Sequence, residues 1–289
     1  TYAVPLDPAM IHRAAALAGR IGRLSLLADN PDLIEAAERR DGPPLRFFLK
    51  VDCGYHRAGV DPESPAGQGL ALRIAESPAL EFAGILTHAG HSYRCRNREE
   101  IQAVAREERE VMTRFAARLE AAGIPVPEIS IGSTPTMAVA ENLEGVTEIR
   151  PGNYVFHDRF QAAIGSCEPS DIALTVLGTV IGVYPDRGEF LLNTGSLALS
   201  HDPGADHLGP GFGFGEVFDP ERPHRSSLGI ITSLSQEHGL AQAAGALPQI
   251  GDRVQILPNH SCLAAALFDR YYAMRSGRLE GTFLPCRGW

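Results

Sequence analysis

Lysine is nearly absent from this chain: of its 26 basic residues only Lys50 is one. Acidic residues outnumber basic ones 35 to 26, the formal net charge is −9, and no run of basic side chains offers the surface that nucleic acid or an anionic membrane requires. Aromatic residues make up 7% and tryptophan occurs once. Long apolar runs are missing too. The longest, residues 172–183, is interrupted by Thr and Gly and falls short of the roughly 20 residues of a membrane helix. Cysteines are few, with Cys53, Cys95, Cys167, Cys262 and Cys286 odd in number, widely spaced and free of any Cys-x-x-Cys. That usage reads as reduced and cytoplasmic rather than disulfide-stapled. What remains is a 289-residue chain, 44% hydrophobic and 21% charged, long enough for more than one domain and for a small-molecule partner. It opens at Thr1 without an initiator methionine or a signal-peptide pattern, which leads to the expectation of an N-terminally incomplete chain.

Up to Arg150 short apolar runs alternate with helical patterns, the mark of βα units around a parallel sheet. Strands are expected at residues 2–4, 24–28, 47–51, 80–87, 128–131 and 147–150. Helices are expected at 8–18 and 31–39, each after an Asp or Asn able to cap it, and at 98–122. Six such units would leave raw edges, so the expected α/β fold is a (β/α)8-type barrel lacking about two N-terminal βα units. After Gly165 the pattern changes to strands at 175–183, 189–193, 229–234, 253–257 and 271–275, separated by turn signals such as Pro185-Asp186-Arg187-Gly188 and Ile250-Gly251-Asp252. The expected domains are therefore a partial barrel over 1–168 and a mostly antiparallel β domain over 169–289. Residues 201–215, rich in Gly, Pro and His, read as a mobile loop.

Four segments carry candidate chemistry. Lys50 to Gly59 runs from a strand end into a glycine-bracketed turn that would aim Arg57 at the active face of a barrel, although a strand-end arginine bridging a nearby acid fits the spacing equally well. Thr87-His88-Ala89-Gly90-His91-Ser92-Tyr93 places two imidazoles and a phenol just past another strand. A single histidine there would more often be a satisfied core residue; two with a tyrosine favour proton transfer or stacking on an aromatic ligand. Ser130-Ile131-Gly132-Ser133-Thr134-Pro135-Thr136 ends a strand and starts a helix, which suits either a phosphate or an ordinary Ser/Thr cap; Glu148 to Tyr154 beside it adds Arg150. Pro258-Asn259-His260-Ser261-Cys262, read as extended, would turn His260 and Cys262 to one side as half of a tetrahedral Zn²⁺-type shell, with Glu237 and His238 as further candidates.

In their order along the chain these segments, together with Asn193-Thr194-Gly195-Ser196 and Gln236-Glu237-His238, resemble the D-serine dehydratase and D-threonine aldolase group of the alanine-racemase-like pyridoxal phosphate (PLP) enzymes. The resemblance covers essentially the whole chain. It implies that Gly132, Ser133 and Thr134 hold the cofactor phosphate, that Arg57 faces the ring's phenolic oxygen, and that His88 lies against the pyridine face with Arg150 or Tyr154 near its nitrogen. His88, His91 and Tyr93 become the catalytic candidates. His260 and Cys262 would hold a divalent metal, usually Zn²⁺ with Mn²⁺ or Mg²⁺ as alternatives, which grips the substrate's β-hydroxyl. The family's Schiff-base lysine is implied at the end of the first barrel strand, in a stretch this chain lacks; Lys50, seven positions before the arginine, is a different residue. The implied activity is a lyase acting on a small β-hydroxy D-amino acid, removing water to give a keto acid and ammonia. The dehydratase branch is favoured because His260-Ser261-Cys262 and the 88–93 run look closer to it, whereas Asp commonly replaces the Cys in aldolases. Retro-aldol cleavage, an amino-acid racemase, a non-catalytic PLP-binding protein and a barrel with other chemistry stand as alternatives. A homodimer with no nucleic-acid or membrane partner completes the expectation.

Overall fold

The computed structural model describes residues 6–221 and 226–287. The chain divides into two compact units, Thr1–Gly152 and Asn153–Trp289. No helix among the described residues is long and apolar enough to cross a membrane.

In the first unit strands and helices alternate: α1 Ile11–Ala18, β1 Ser25–Ala28, α2 Pro31–Glu38, β2 Leu45–Lys50, α3 Pro65–Glu76, β3 Leu80–Leu86, α4 Arg98–Ala121, β4 Glu128–Ile131, α5 Thr134–Val139 and β5 Glu148–Ile149. The strands pair in sequence order, all parallel. The expected strand at residues 2–4 lies outside the described residues. Helix starts follow the cap signals. The Asn30 side chain accepts the Leu33 N–H at 3.0 Å, and a 3₁₀ turn beginning at Pro8 is capped by Asp7, whose carboxylate accepts the Ala9 N–H at 2.8 Å. Within β2, Phe47 and Leu49 pack into the core beneath the helices while Phe48 joins Leu27, Ala83 and Leu86 on the opposite face. Both faces are covered, so the middle of the strand, Phe47-Phe48-Leu49, reads as an apolar run, and each fully buried Phe contributes about 2 kcal/mol. At the starting ends of the strands Arg46 is buried between Glu81 (2.9 Å) and Glu128 (2.8 Å), an arrangement that stabilises and leaves the carboxyl ends for chemistry. Helix α3 escaped the sequence reading because Gly67 and Gly69 weaken its pattern, although Ser64 followed by Pro65 is a correct start signal.

The second unit contains α6 Arg159–Ala163, β6 Val176–Tyr184, β7 Glu189–Leu192, α7 Ser196–Leu199, β8 Gly215–Phe218, β9 Ser227–Leu234, β10 Gly239–Ala243, β11 Arg253–Pro258, α8 Ser261–Ala266, β12 Tyr271–Arg275 and β13 Arg278–Phe283. Six strands close into an antiparallel barrel in the order β10-β7-β6-β11-β8-β9, filled by Val180, Phe190, Leu192, Val217, Ile231 and Ile256. Closure leaves no raw edge. β12 and β13 form a separate hairpin. The division falls before Asn153, earlier than the boundary at 168/169 expected from the strand pattern. Residues 153–163 hydrogen-bond into the second unit: Asn153 Nδ2 donates to Ser261 Oγ at 3.0 Å and the Phe160 N–H to the Asn259 carbonyl at 3.3 Å. The segment 201–215, expected as a mobile loop, carries a 3₁₀ turn at Asp206–Leu208 and is tied down by Asn259, whose amide donates to the carbonyls of Asp202 (3.0 Å) and Gly213 (2.7 Å).

Candidate functional site

At the carboxyl ends of the first unit's strands a set of polar side chains is buried where the apolar runs stop. Lys50 ends β2 and is 3% exposed. Burial, reinforced by the fields of Arg150 and Arg57, brings its ammonium down to about 8. Arg150, just past β5, donates Nε–H to Ser130 Oγ at 2.7 Å and an Nη2–H to the Thr87 carbonyl, stitching the ends of β3 and β4 together. His88 is pushed down to about 4 by burial and by the Arg57, Lys50 and Arg150 charges, so it is neutral at pH 7. Its Nδ1 lies 3.2 Å from the Gly132 carbonyl. A carbonyl only accepts, so Nδ1 carries the proton and the Nε2 lone pair stays available.

The β4–α5 turn is built on Gly132, at φ +118°, where a Cβ would lie 3.1 Å from the Arg150 backbone nitrogen. Ser133 caps α5, exchanging hydrogen bonds with Thr136, and its hydroxyl also meets Ser92 Oγ at 3.0 Å. Thr134 Oγ1 is buried without a hydrogen-bond partner. Such an orphaned hydroxyl costs free energy unless a ligand completes it. With Lys50, Arg57 and Arg150 supplying positive potential around a neutral imidazole, these residues fit the phosphate and ring of PLP. The aromatic groups cluster here: Tyr55 lies 6.3 Å from His88 and 6.4 Å from His91, and Tyr93 lies 6.4 Å from His88, between ring centroids. Gly90 permits this packing, since a Cβ there would sit 2.3 Å from the Tyr55 ring. The exposed Arg57 lies over the Tyr55 ring at 5.0 Å.

In the second unit β11 ends at Pro258 and α8 begins at Ser261, so Cys262 sits on a first helical turn rather than on the extended segment expected. The two side chains still meet. Burial alone would lower His260, but hydrogen bonds to Asp202 and Cys262 outweigh it and push the imidazole up to about 10, while the His260 contact lowers the Cys262 thiol. Asp202 Oδ2 lies 3.0 Å from His260 Nδ1, and Asn153 Nδ2 donates to Cys262 Sγ at 3.5 Å. Asp158, buried, fixes the turn by accepting the Ser261 N–H at 2.9 Å and an Asn153 Nδ2–H at 2.7 Å. A cysteine sulfur beside an imidazole whose other nitrogen is held by a carboxylate is a pair of donors that fits a Zn²⁺-type cation. No set of three or more His, Cys, Asp or Glu side chains placed to hold a metal occurs among the described residues.

Both units match families of known proteins. Residues 12–159 match the family described as "Alanine racemase, N-terminal domain" and residues 173–274 that described as "Putative serine dehydratase domain". D-serine dehydratase of Dictyostelium discoideum is 36% identical, covering 100% of this chain and 78% of that protein. The chain belongs to the D-serine dehydratase family. Its fold is accordingly alanine-racemase-like, and the family is made up of PLP-dependent lyases. The solved D-threo-3-hydroxyaspartate dehydratase from Delftia sp. HT23 is 36% identical with a TM-score of 0.90, covering 100% of this chain and 79% of that one. That enzyme has also been solved as a Cys→Ala mutant in the metal-free form and as a His→Ala mutant, the two altered positions standing two apart. D-threonine aldolase of Arthrobacter sp. is more distant, 27% identical over 93% of this chain and 69% of that protein.

In this family member the structure gathers His88 and His91 around Tyr55, sets Tyr93 and the Gly132 carbonyl against His88, and joins His260 to Cys262. Tyr154 belongs to the second unit and is 57% exposed; Glu237 and His238 are exposed in the β9–β10 turn. Sequence reasoning missed Tyr55, Glu108, Asp158 and Asp202. Tyr55 stood inside the Lys50 to Gly59 segment, and Asp202 in the Gly- and Pro-rich loop, where nothing in the spacing connects it to His260.

Proposed function

We propose that this chain is a PLP- and divalent-metal-dependent lyase of the D-serine dehydratase type, removing water from a small β-hydroxy D-amino acid to give a keto acid and ammonia. When bound, PLP supplies an electron sink for charge developing at Cα, and the metal, Zn²⁺ in this proposal, supplies Lewis-acid stabilisation of the departing hydroxyl. In the first unit Ser133 and Thr134 hold the phosphate, Thr134 through its unpartnered hydroxyl. Gly132 contributes its φ and its lack of a side chain, because its N–H is already engaged. His88 presents a neutral Nε2 as acceptor, and Arg57, Lys50 and Arg150 balance phosphate and carboxylate charge. His91, with a buried and unpartnered Nδ1, and Tyr93 are the groups proposed to move protons. In the second unit His260 and Cys262 hold the metal. A cytoplasmic setting belongs to the same proposal, supported by five free thiols.

The observation that carries this reading is the His260–Cys262 pair, hydrogen-bonded and supported by Asp202 and Asn153. The presence of Cys262 and the higher identity to dehydratases favour elimination over retro-aldol cleavage. The test is a product assay with D-serine and D-threonine, scoring keto acid plus ammonia against glycine plus aldehyde. Cys262→Ala is expected to lose bound metal and lyase activity while retaining PLP; activity that survives chelation contradicts the proposal.

A further inference from the structure

Glu108 is the one member of the buried α4 stripe Ile101, Ala105, Glu108, Met112, Phe115 and Leu119 that is charged. It is completely buried. A leucine there would continue the stripe without desolvating a carboxylate, so the charge needs a local reason. The hydrogen bonds give one. Glu108 Oε1 accepts two backbone N–H groups, from Ala89 at 3.0 Å and from Gly132 at 3.0 Å. Ala89 follows His88 on the turn after β3, and Gly132 precedes Ser133 on the turn after β4. Gly132 is therefore held on both sides, its N–H by Glu108 and its carbonyl by His88 Nδ1–H at 3.2 Å. The second carboxylate oxygen, Oε2, makes no hydrogen bond. Burial raises the carboxyl's proton affinity, opposed by the Gly132 N–H, the nearby Thr136 hydroxyl, the Ala89 N–H and the Arg150 charge.

We propose that Glu108 is a positioning residue for the cofactor phosphate: one carboxylate oxygen locks the β3 and β4 turns together, fixing Ser133, Thr134 and the His88 tautomer in one arrangement. It does not touch the ligand. With the Gly132 N–H turned to Glu108, phosphate selectivity falls to the Ser133 and Thr134 side of the turn, and that side is rigid only while both N–H groups share their acceptor. The proposal rests on reading Gly132 to Thr134 as the phosphate cradle, and the experiment separates the two.

Binding of pyridoxal 5′-phosphate and of pyridoxal, which lacks the phosphate, is measured by equilibrium dialysis on the full chain. The wild type is expected to prefer the phosphorylated form by about 100-fold, the worth of two charge-assisted hydrogen bonds. Absence of that preference overturns the cradle and the proposal together. With the preference present, Glu108→Ala is expected to lower it to below about 10-fold while pyridoxal affinity stays level. Glu108→Gln, which retains the bridging carbonyl, is expected to keep it within about 3-fold of wild type. An Ala variant with an undiminished ratio overturns the role of Glu108 and leaves the cradle standing. Equal loss in folded Gln and Ala variants also overturns it, because charge rather than bridging would then operate. Should Glu108→Ala not fold, Glu108→Met, which fills the same space without an acceptor, carries the test by amide hydrogen exchange: faster exchange at Ala89 and Gly132 than in wild type, with Thr87 unchanged, supports the bridge, and unaltered exchange at both refutes it.

Discussion

Replacing Lys50 by methionine should stabilise the protein while weakening its hold on phosphate. Lys50 is 3% exposed, and burial with the nearby Arg150 and Arg57 charges takes its ammonium from 10.5 to about 8. At 1.36 kcal/mol per unit, holding that charge in the folded state costs about 3 kcal/mol at pH 7. The folded-state value lies below the unfolded one. Above 10.5 both states are neutral and nothing is lost. As pH falls from 10.5 to 8 the unfolded chain takes up the proton first, so stability declines over that window and stays at its lowered level below it. Methionine has similar length and no charge, so Lys50→Met should gain up to about 3 kcal/mol at pH 7 and only about 1 kcal/mol at pH 9.5. Urea unfolding of both proteins at the two pH values reads the difference directly. A variant that is less stable at pH 7, or whose gain is the same at both values, would show that burial of the ammonium is compensated and refute the reasoning. In parallel, pyridoxal 5′-phosphate affinity should fall by about 10-fold, since a cation is removed from the phosphate's surroundings. Stability and binding moving in opposite directions is the signature of a charge kept for function.

Gly132→Ala should cost about 2 kcal/mol, because φ +118° strains an alanine and its Cβ would press on the Arg150 backbone nitrogen and Met137. Thermal unfolding measures the loss, and an unchanged midpoint would mean the turn relaxes freely. Asp202→Ala should weaken Zn²⁺ binding by about 10- to 100-fold in competition with a chelator, with little change in PLP affinity, because His260 Nδ1 loses its 3.0 Å partner. Equal zinc affinity would show that Asp202 does not orient the imidazole.

How much of this was legible in the sequence depends on how local the cause is. The 3₁₀ turn that leads into α1, and helix α2, were readable from Asp7-Pro8 and Asn30-Pro31, because a cap is decided by neighbours within four residues. The strands β2 and β3 were readable because burial on both faces leaves short apolar runs, Phe47-Phe48-Leu49 and residues 82–86. Strand β10, Gly239–Ala243, was not: Gly-Leu-Ala-Gln-Ala carries no strand preference, and its conformation is imposed by ladders to β7 and β9 from either side. The site divides in the same way. His88, Gly132 and Arg150 stand just past strand ends, which the barrel rule marks out, whereas Asp202 reaches His260 from 58 residues away and Asp158 reaches Ser261 from 103. Glu108 lies between these cases. The spacing of the apolar stripe on α4 reveals that a charge falls on the buried face, but its partners, 19 and 24 residues distant, are supplied by the ends of two different strands. A buried charge in an otherwise apolar helical stripe is thus a signal that something polar waits on the other side, and identifying it requires the sheet order. Here that order, β3 beside β4, is what brings the Ala89 and Gly132 N–H groups to a single oxygen.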